Sequence, residues 1–218
     1  MMKVKICGLM REEDIHTMNR WQPDYAGFVF AESKRKITRE QAMRLRLLLR
    51  PETKGVGVFV NARIREIRSL VENHIIDVVQ LHGHENEEYI KELKQNIPCP
   101  VIKAVRVKEY IQVQEALKSK ADYLLFDAYS EAGMGGMGKV FDWTLLKDVK
   151  RPYFLAGGLT PGNVAVAGRI CRPYGVDVSS GVETMGKKDA EKIRTFILAA
   201  QSGNKEDIDE SKNENQIR

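Results

Sequence analysis

Residues 152–183 read PYFLAGGLTPGNVAVAGRICRPYGVDVSSGVE. The apolar run PYFLA breaks at AGGL, a stretch opening on Thr160–Pro161 follows, and a second run, GVDVSS, breaks at SSGVE. A threonine before a proline is a helix-start signal. The stretch therefore predicts strand, glycine turn, helix, strand and glycine turn. Strands alternating with helices pair in parallel through right-handed crossovers. Outward from here the same unit recurs along the chain. The runs KVKIC, YAGFVF, KGVGVFV, DVVQLH, PVIKAV, DYLLFD, PYFLA and GVDVSS begin near residues 3, 25, 54, 77, 100, 122, 152 and 175. Segments such as TREQAMRLRLLL, NARIREIRSLVE, EEYIKELKQN and DAEKIRTFILAA carry apolar residues at three- and four-residue steps, the period of an amphipathic helix. Thr38, ahead of Arg39-Glu40-Gln41, is another start signal. Eight such units in 218 residues predict an α/β fold, a single (β/α)8 TIM barrel. The alternative is an open doubly wound sheet, but no GxGxxG follows the first run.

Composition narrows the function. The chain is long enough to bury a core without disulfides or structural metal. Residues 1–203 are expected to form the barrel and 204–218 a charged, disordered tail, because GNKEDIDESKNENQIR, residues 203–218, has only Ile208 and Ile217 as aliphatics. No secretory leader or membrane span is legible. Cys7, Cys99 and Cys171 are odd in number, widely spaced and free of CxxC, which points to a reducing, cytoplasmic compartment and away from a zinc site. The net charge of +5 is scattered, with no basic stripe interleaved with aromatics, so the expected partner is a small anion and not nucleic acid. Monomer and homodimer both stay open.

Side chains alternate across a strand. In KVKICGL, residues 3–9, Val4 and Ile6 are expected to face the helices, and Lys3, Lys5 and Cys7 the barrel interior. Cys7 then closes the strand at its carboxyl end, the face where barrels hold their chemistry, with Gly8 leaving space beside the thiol. Cys99, between Pro98 and Pro100, and Cys171 fit the ordinary role of a small buried hydrophobe. Asp127 closes the apolar run YLLF, where a carboxylate is costly unless solvated or paired. His82 ends QLH and reads equally well as structural or functional. Asp177, inside the eighth strand, faces inward by parity, where Lys5 of the neighbouring first strand can pair with it.

Two loops suit a phosphate. Gly157 and Gly158 follow the seventh strand, and Ser179, Ser180 and Gly181 follow the eighth. Glycines let backbone N–H groups approach an anion, and barrels often bind phosphate after strands seven and eight. A third loop, SEAGMGGMGKVFDW, carries Gly135, Gly136 and Gly138 and suits a lid.

KICG with Cys7, GFVF followed by SKR, GVFVN, QLHG, LFD with Asp127, GGMGKVFDW, LAGGL and VDVSSGVE stand in an order that resembles the phosphoribosylanthranilate isomerase family of tryptophan biosynthesis, from residue 3 to about residue 200. The resemblance implies a single barrel without metal or organic cofactor. It implies an Amadori rearrangement of N-(5-phosphoribosyl)anthranilate to 1-(2-carboxyphenylamino)-1-deoxyribulose 5-phosphate. It also implies Cys7 as general base, Asp127 as general acid, Arg35 as the arginine that grips the substrate, and Gly157, Gly158, Ser180 and Gly181 as phosphate-binding backbone. His82 and Asp177 are added as substrate-side residues. The chain departs from the family in Ala31, where a proline is frequent, and Met137, where a threonine is common.

The residue types suit that chemistry by themselves. A carboxylic acid can protonate a furanose ring oxygen as its C–O bond opens, and a thiolate can take the proton from C2. Such a thiolate would be helped by a positive neighbour or the start of the first helix. A metal-dependent pentose-phosphate epimerase would need more histidines at strand ends than His82. An indole-glycerol-phosphate synthase would need a lysine and a glutamate there. A non-catalytic phosphometabolite-binding module would bind without turnover.

Overall fold

The computed structural model describes residues 1–128 and 142–202. Eight parallel strands close into a barrel: β1 (Lys3–Cys7), β2 (Tyr25–Val29), β3 (Lys54–Phe59), β4 (Val78–Leu81), β5 (Val101–Val107), β6 (Tyr123–Ala128), β7 (Tyr153–Ala156) and β8 (Gly175–Val178), which pairs back onto β1. Around them lie α1 (Glu12–Trp21), α2 (Arg39–Leu48), α3 (Ile64–Glu72), α4 (Glu87–Asn96), α5 (Tyr110–Ala116), α6 (Val164–Cys171) and α7 (Ala190–Ser202). No strand starts more than one residue from its expected place. Among the described residues the crossover after β6 holds only a short 3-10 turn, Trp143–Leu146, where the repeat predicts an α-helix. The lid glycines Gly135, Gly136 and Gly138 lie outside the described residues, as does the tail from 204 to 218.

Local chemistry sets the helix starts. Thr38 accepts from the Gln41 N–H at 3.2 Å while the Gln41 side chain takes the Thr38 N–H at 2.8 Å, a reciprocal cap. Asn86 caps α4 on Tyr89 N–H at 2.9 Å, Glu87 and Glu88 sit in its first turn, and Ile90 and Leu93 are buried. Thr160 does not cap α6. Its N–H is taken by Asn163 Oδ1 at 2.8 Å, so Thr160–Asn163 forms a turn of its own and the helix starts at Val164.

A repeated device ties the amino-terminal end of the barrel. The aspartate just before each of three even strands accepts an N–H from the preceding strand: Asp24 from Val4 at 2.9 Å, Asp77 from Gly55 at 2.7 Å and Asp122 from Val101 at 2.8 Å. These bonds fix strand register at the face that carries stability in barrels.

The alternation is as expected. Val4 and Ile6 pack into the shell between strands and helices with Ile15, Met18 and Phe196. Inside, the lower barrel is apolar, filled by Val56, Val78, Ile102, Leu125 and Phe154. Tyr25, Tyr123 and Tyr174 close it below with edge-on ring contacts to Phe154 at 5.4, 5.9 and 5.4 Å. Above this plug the interior turns polar, which places ionisable groups at the carboxyl mouth.

Candidate active site

A cavity of about 490 Å³ opens at that mouth, within the range of small-molecule sites. Cys7 and Asp177 line it from β1 and β8, and Asp127 from β6, with β7 and β8 between β6 and β1. Arg35 and His82 reach it from the loops after β2 and β4, and Gly157, Gly158, Ser179, Ser180 and Gly181 form its rim after β7 and β8. All the described residues singled out from sequence therefore meet in one cavity. A second cavity of about 260 Å³, lined by Tyr25, Lys54, Asp77 and Phe154, lies at the opposite end, away from these groups.

The register that joins Cys7 to Gly27 makes room for the thiol, because a Cβ at Gly27 would stand 2.7 Å from Cys7 Sγ. Gly8 serves a different neighbour. Its φ of +82° is left-handed, and a Cβ there would fall 2.4 Å from Arg35 Cδ. The space that Gly8 was expected to leave for the thiol is taken by Arg35.

Below the thiol, Lys5 Nζ lies 3.0 Å from Asp177 Oδ1, and its charge acts on Cys7. Lys5 is fully buried, which disfavours its charge, yet Asp177 and Cys7 outweigh burial and raise its pKa above the ordinary value. For Cys7 the balance runs the other way. Burial pushes the thiol up, Lys5 and Lys188 pull it down, Asp177 adds to the rise, and the result is upward. The positive neighbours are present, but they do not overcome desolvation. Cys99 and Cys171 are also pushed up by burial, to about 11 and about 12, and neither lines the cavity.

Arg35 is held at the mouth by the loop it closes, where Ile37 N–H bonds Val29 O at 2.9 Å. Its Nε and Nη2 donate to the two oxygens of Glu183 at 2.7 and 2.8 Å. Glu183 belongs to a hairpin, β9 (Glu183–Thr184) and β10 (Lys187–Lys188), that folds over the eighth loop. Lys188 Nζ donates to Glu183 Oε1 at 2.7 Å and to Ser179 O at 3.0 Å. Burial by itself would raise the Glu183 carboxyl. The hydrogen bonds from Arg35 and Lys188 outweigh it and hold the carboxyl at about 2. Ser179 Oγ donates to the Cys7 carbonyl at 2.9 Å, so this hydroxyl supports the thiol's backbone and is not aimed at an anion.

Gly157 and Gly158 adopt left-handed φ of 85° and 64°, a turn that glycine takes without strain. The two rim loops touch where a Cβ at Gly181 would fall 1.9 Å from Leu159 O. Across the mouth, His82 Nε2 stands 3.5 Å from Asp127 Oδ2, and Gln80 Nε2 stands 3.2 Å from His82 Nδ1. Arg106, in register with Asp127, adds a guanidinium. Among the described residues no group of three or more His, Cys, Asp or Glu side chains is placed to hold a metal ion. Nor is any helix among them long and apolar enough to cross a membrane.

Gln80, Glu183 and Lys188 escaped the sequence reading. Glu183 acts on Arg35, 148 residues away, and Lys188 reaches Glu183 and Ser179 only once the hairpin folds. Gln80 was visible two residues before His82, on the same face of its strand.

Comparison with known proteins gives this arrangement its context. The family model described as N-(5'phosphoribosyl)anthranilate (PRA) isomerase matches residues 4–199. The N-(5'-phosphoribosyl)anthranilate isomerase of Endomicrobium trichonymphae is 55% identical over 193 residues, 88% of this chain and 95% of that protein. The crystal structure of phosphoribosyl anthranilate isomerase from Thermotoga maritima superposes with a TM-score of 0.84 at 40% identity, covering 93% of this chain and all of that one. A phosphoribosyl anthranilate isomerase solved in complex with reduced 1-(o-carboxyphenylamino)-1-deoxyribulose 5-phosphate aligns with a TM-score of 0.82 at 38% identity, over 93% of this chain and 100% of its own.

Proposed function

The chain belongs to the N-(5'-phosphoribosyl)anthranilate isomerase family, and on that premise we propose that Cys7 and Asp127 are the base and the acid of its isomerisation. The reaction is the conversion of N-(5'-phosphoribosyl)anthranilate to its 1-deoxyribulose isomer in tryptophan biosynthesis. One observation carries the assignment: a thiol and a carboxyl face one cavity from β1 and β6, with a glycine rim on one side and a guanidinium on another.

The substrate's phosphate is held by backbone N–H groups of Gly157, Gly158, Ser180 and Gly181. The close contact between the two rim loops keeps that cradle narrow. Glu183 takes the Nε and Nη2 side of Arg35. It leaves the Nη1 end for a second carboxylate, that of the anthranilate ring. Pinned at both ends, the sugar lies between acid and base. Asp127 gives its proton to the ring oxygen as the C1–O bond breaks, and the electrons of the amine nitrogen form the Schiff base. The Cys7 thiolate then takes the proton from C2. The C2–H pair becomes the enolamine double bond, the iminium nitrogen is neutralised, and tautomerisation yields the ketone. The upward push on the Cys7 thiol makes the thiolate a scarcer but stronger base. Lys5 is the cation that stabilises it. The test is product formation from N-(5-phosphoribosyl)anthranilate by the purified full chain with a chelator present. Sustained turnover supports the reading, while turnover that collapses with chelator and returns with a divalent ion overturns it in favour of metal-dependent chemistry.

A further inference from the structure

The side chains above the apolar plug include one whose burial and contacts the reaction as written leaves unexplained. Gln80, on β4, is 1% exposed, and its Oε1 is buried without a hydrogen-bond partner. A buried, half-satisfied amide is unfavourable, so an amide kept in such a place calls for a reason. Its other end supplies one: Nε2 lies 3.2 Å from Nδ1 of His82, whose Nε2 in turn lies 3.5 Å from Oδ2 of Asp127. We infer that Gln80 is a positioning residue that fixes His82 as the neutral tautomer protonated on Nε2, aimed at the Asp127 carboxyl. The inference rests on the reading of Asp127 as the acid.

The placement of the amide sets the direction, since its Nε2 and not its Oε1 stands toward the ring. With Nε2 toward the ring, one of the two amide protons is donated to Nδ1 and one acceptor, Oε1, goes unmet. Rotated half a turn, Oε1 would accept from an Nδ1–H and both amide protons would lie where the single unmet oxygen now lies. Either arrangement leaves one amide atom unmet, and the structure has the first. It requires a bare Nδ1, and the neutral ring therefore carries its proton on Nε2. His82 is held from its backbone as well, its N–H bonding Phe59 O at 2.8 Å. The ring thus has a set position and a set proton. When Asp127 passes its proton to the ring oxygen of the sugar, the carboxylate left behind faces an N–H donor already in place. That donor favours the step without itself exchanging a proton, so no further acid or base is required.

The experiment uses the full-length protein labelled with nitrogen-15 in histidine. Wild type, Gln80→Met and Gln80→Glu are compared by two-bond proton–nitrogen correlation, and His82 is assigned by its absence in His82→Asn. The signals of His16, His74 and His84 report in the same spectra that each variant is folded. Wild type is expected to show His82 with a protonated Nε2 and a bare Nδ1. Gln80→Met is expected to lose that preference. Gln80→Glu, which can only accept, is expected to move the proton to Nδ1 or to both nitrogens. Both variants should lose about tenfold or more in kcat with KM changed less than about threefold. An Nε2 proton retained in both variants, or a wild-type spectrum with Nδ1 protonated, overturns the inference. So does wild-type kcat in both variants. If Asp127→Asn keeps wild-type turnover, the acid assignment fails by itself, and the nitrogen shifts of His82 still decide for or against Gln80.

Discussion

Lys5→Met removes the ammonium that stands between Asp177 and Cys7. Lys5 is fully buried, its Nζ lies 3.0 Å from Asp177 Oδ1, and Asp177 is itself only 8% exposed. The variant therefore leaves a carboxylate in a nearly dry wall without its counter-charge. Stranding one member of a buried pair costs about 3–5 kcal/mol. Asp177 faces the cavity, where water reaches it, so the lower end, about 3 kcal/mol, is expected. At roughly 2–4 °C per kcal/mol for a chain of this size, the melting temperature should fall by about 6–12 °C. Asp177→Leu alone strands the ammonium instead and should cost a similar amount. The double variant removes both charges and should lie within about 1 kcal/mol of wild type, a coupling of about 5 kcal/mol against two singles of about 3 kcal/mol each. Urea unfolding followed by far-ultraviolet circular dichroism gives all four corners of the cycle. A second readout concerns the thiol. Without Lys5 the Cys7 thiol loses the main charge that pulls it down, so its alkylation should need a higher pH in Lys5→Met than in wild type. A Lys5→Met protein that unfolds at the wild-type urea midpoint, or a double variant no more stable than the weaker single, would refute the view of these groups as one buried ion pair.

Arg35→Lys should raise KM about tenfold or more, because an ammonium cannot meet Glu183 along two parallel bonds and keep a second edge for the substrate; equal kinetics on both proteins would place the anthranilate carboxylate elsewhere. Gly181→Ala should push the rim loops apart, since its Cβ would fall 1.9 Å from Leu159 O; inorganic phosphate should then inhibit about tenfold more weakly, and unchanged inhibition would move the phosphate site. Glu183 is held at about 2, below its ordinary 4.5, so its contribution to stability is present above pH 4.5 and lost as pH falls toward 2. After solvent screening that contribution is on the order of 1–2 kcal/mol. Over that interval Glu183→Gln should lose less stability than wild type, and identical acid-unfolding profiles would discount the cluster.

The barrel was legible because its signals are local. Eight apolar runs, their glycine breaks and the parity of KVKIC place the start of every strand to within one residue and Cys7 at the mouth. The Lys5–Asp177 pair followed from parity too, once β8 was taken to close onto β1. What escaped depends on contacts across the ring. Gly27, not Gly8, clears the thiol, because that depends on β1 and β2 pairing Cys7 with Gly27. Ser179 looked like a phosphate ligand from its loop, yet its hydroxyl turns to the Cys7 carbonyl. The Glu183–Arg35 contact spans 148 residues, and nothing near either residue announces it. Thr160–Pro161 misled for a local reason, since Asn163 folds back onto the Thr160 N–H and the Gly158 carbonyl and the helix starts only after it.

The account turns on Cys7 as the group that takes the C2 proton. Its most direct test is kcat for Cys7→Ser at saturating N-(5-phosphoribosyl)anthranilate, beside Cys99→Ser and Cys171→Ser as controls for general thiol loss. A serine hydroxyl keeps the size and polarity but is a far weaker base at neutral pH, so kcat should fall about a hundredfold or more with KM nearly unchanged, while both controls turn over like wild type. Turnover of Cys7→Ser within about threefold of wild type would contradict the account.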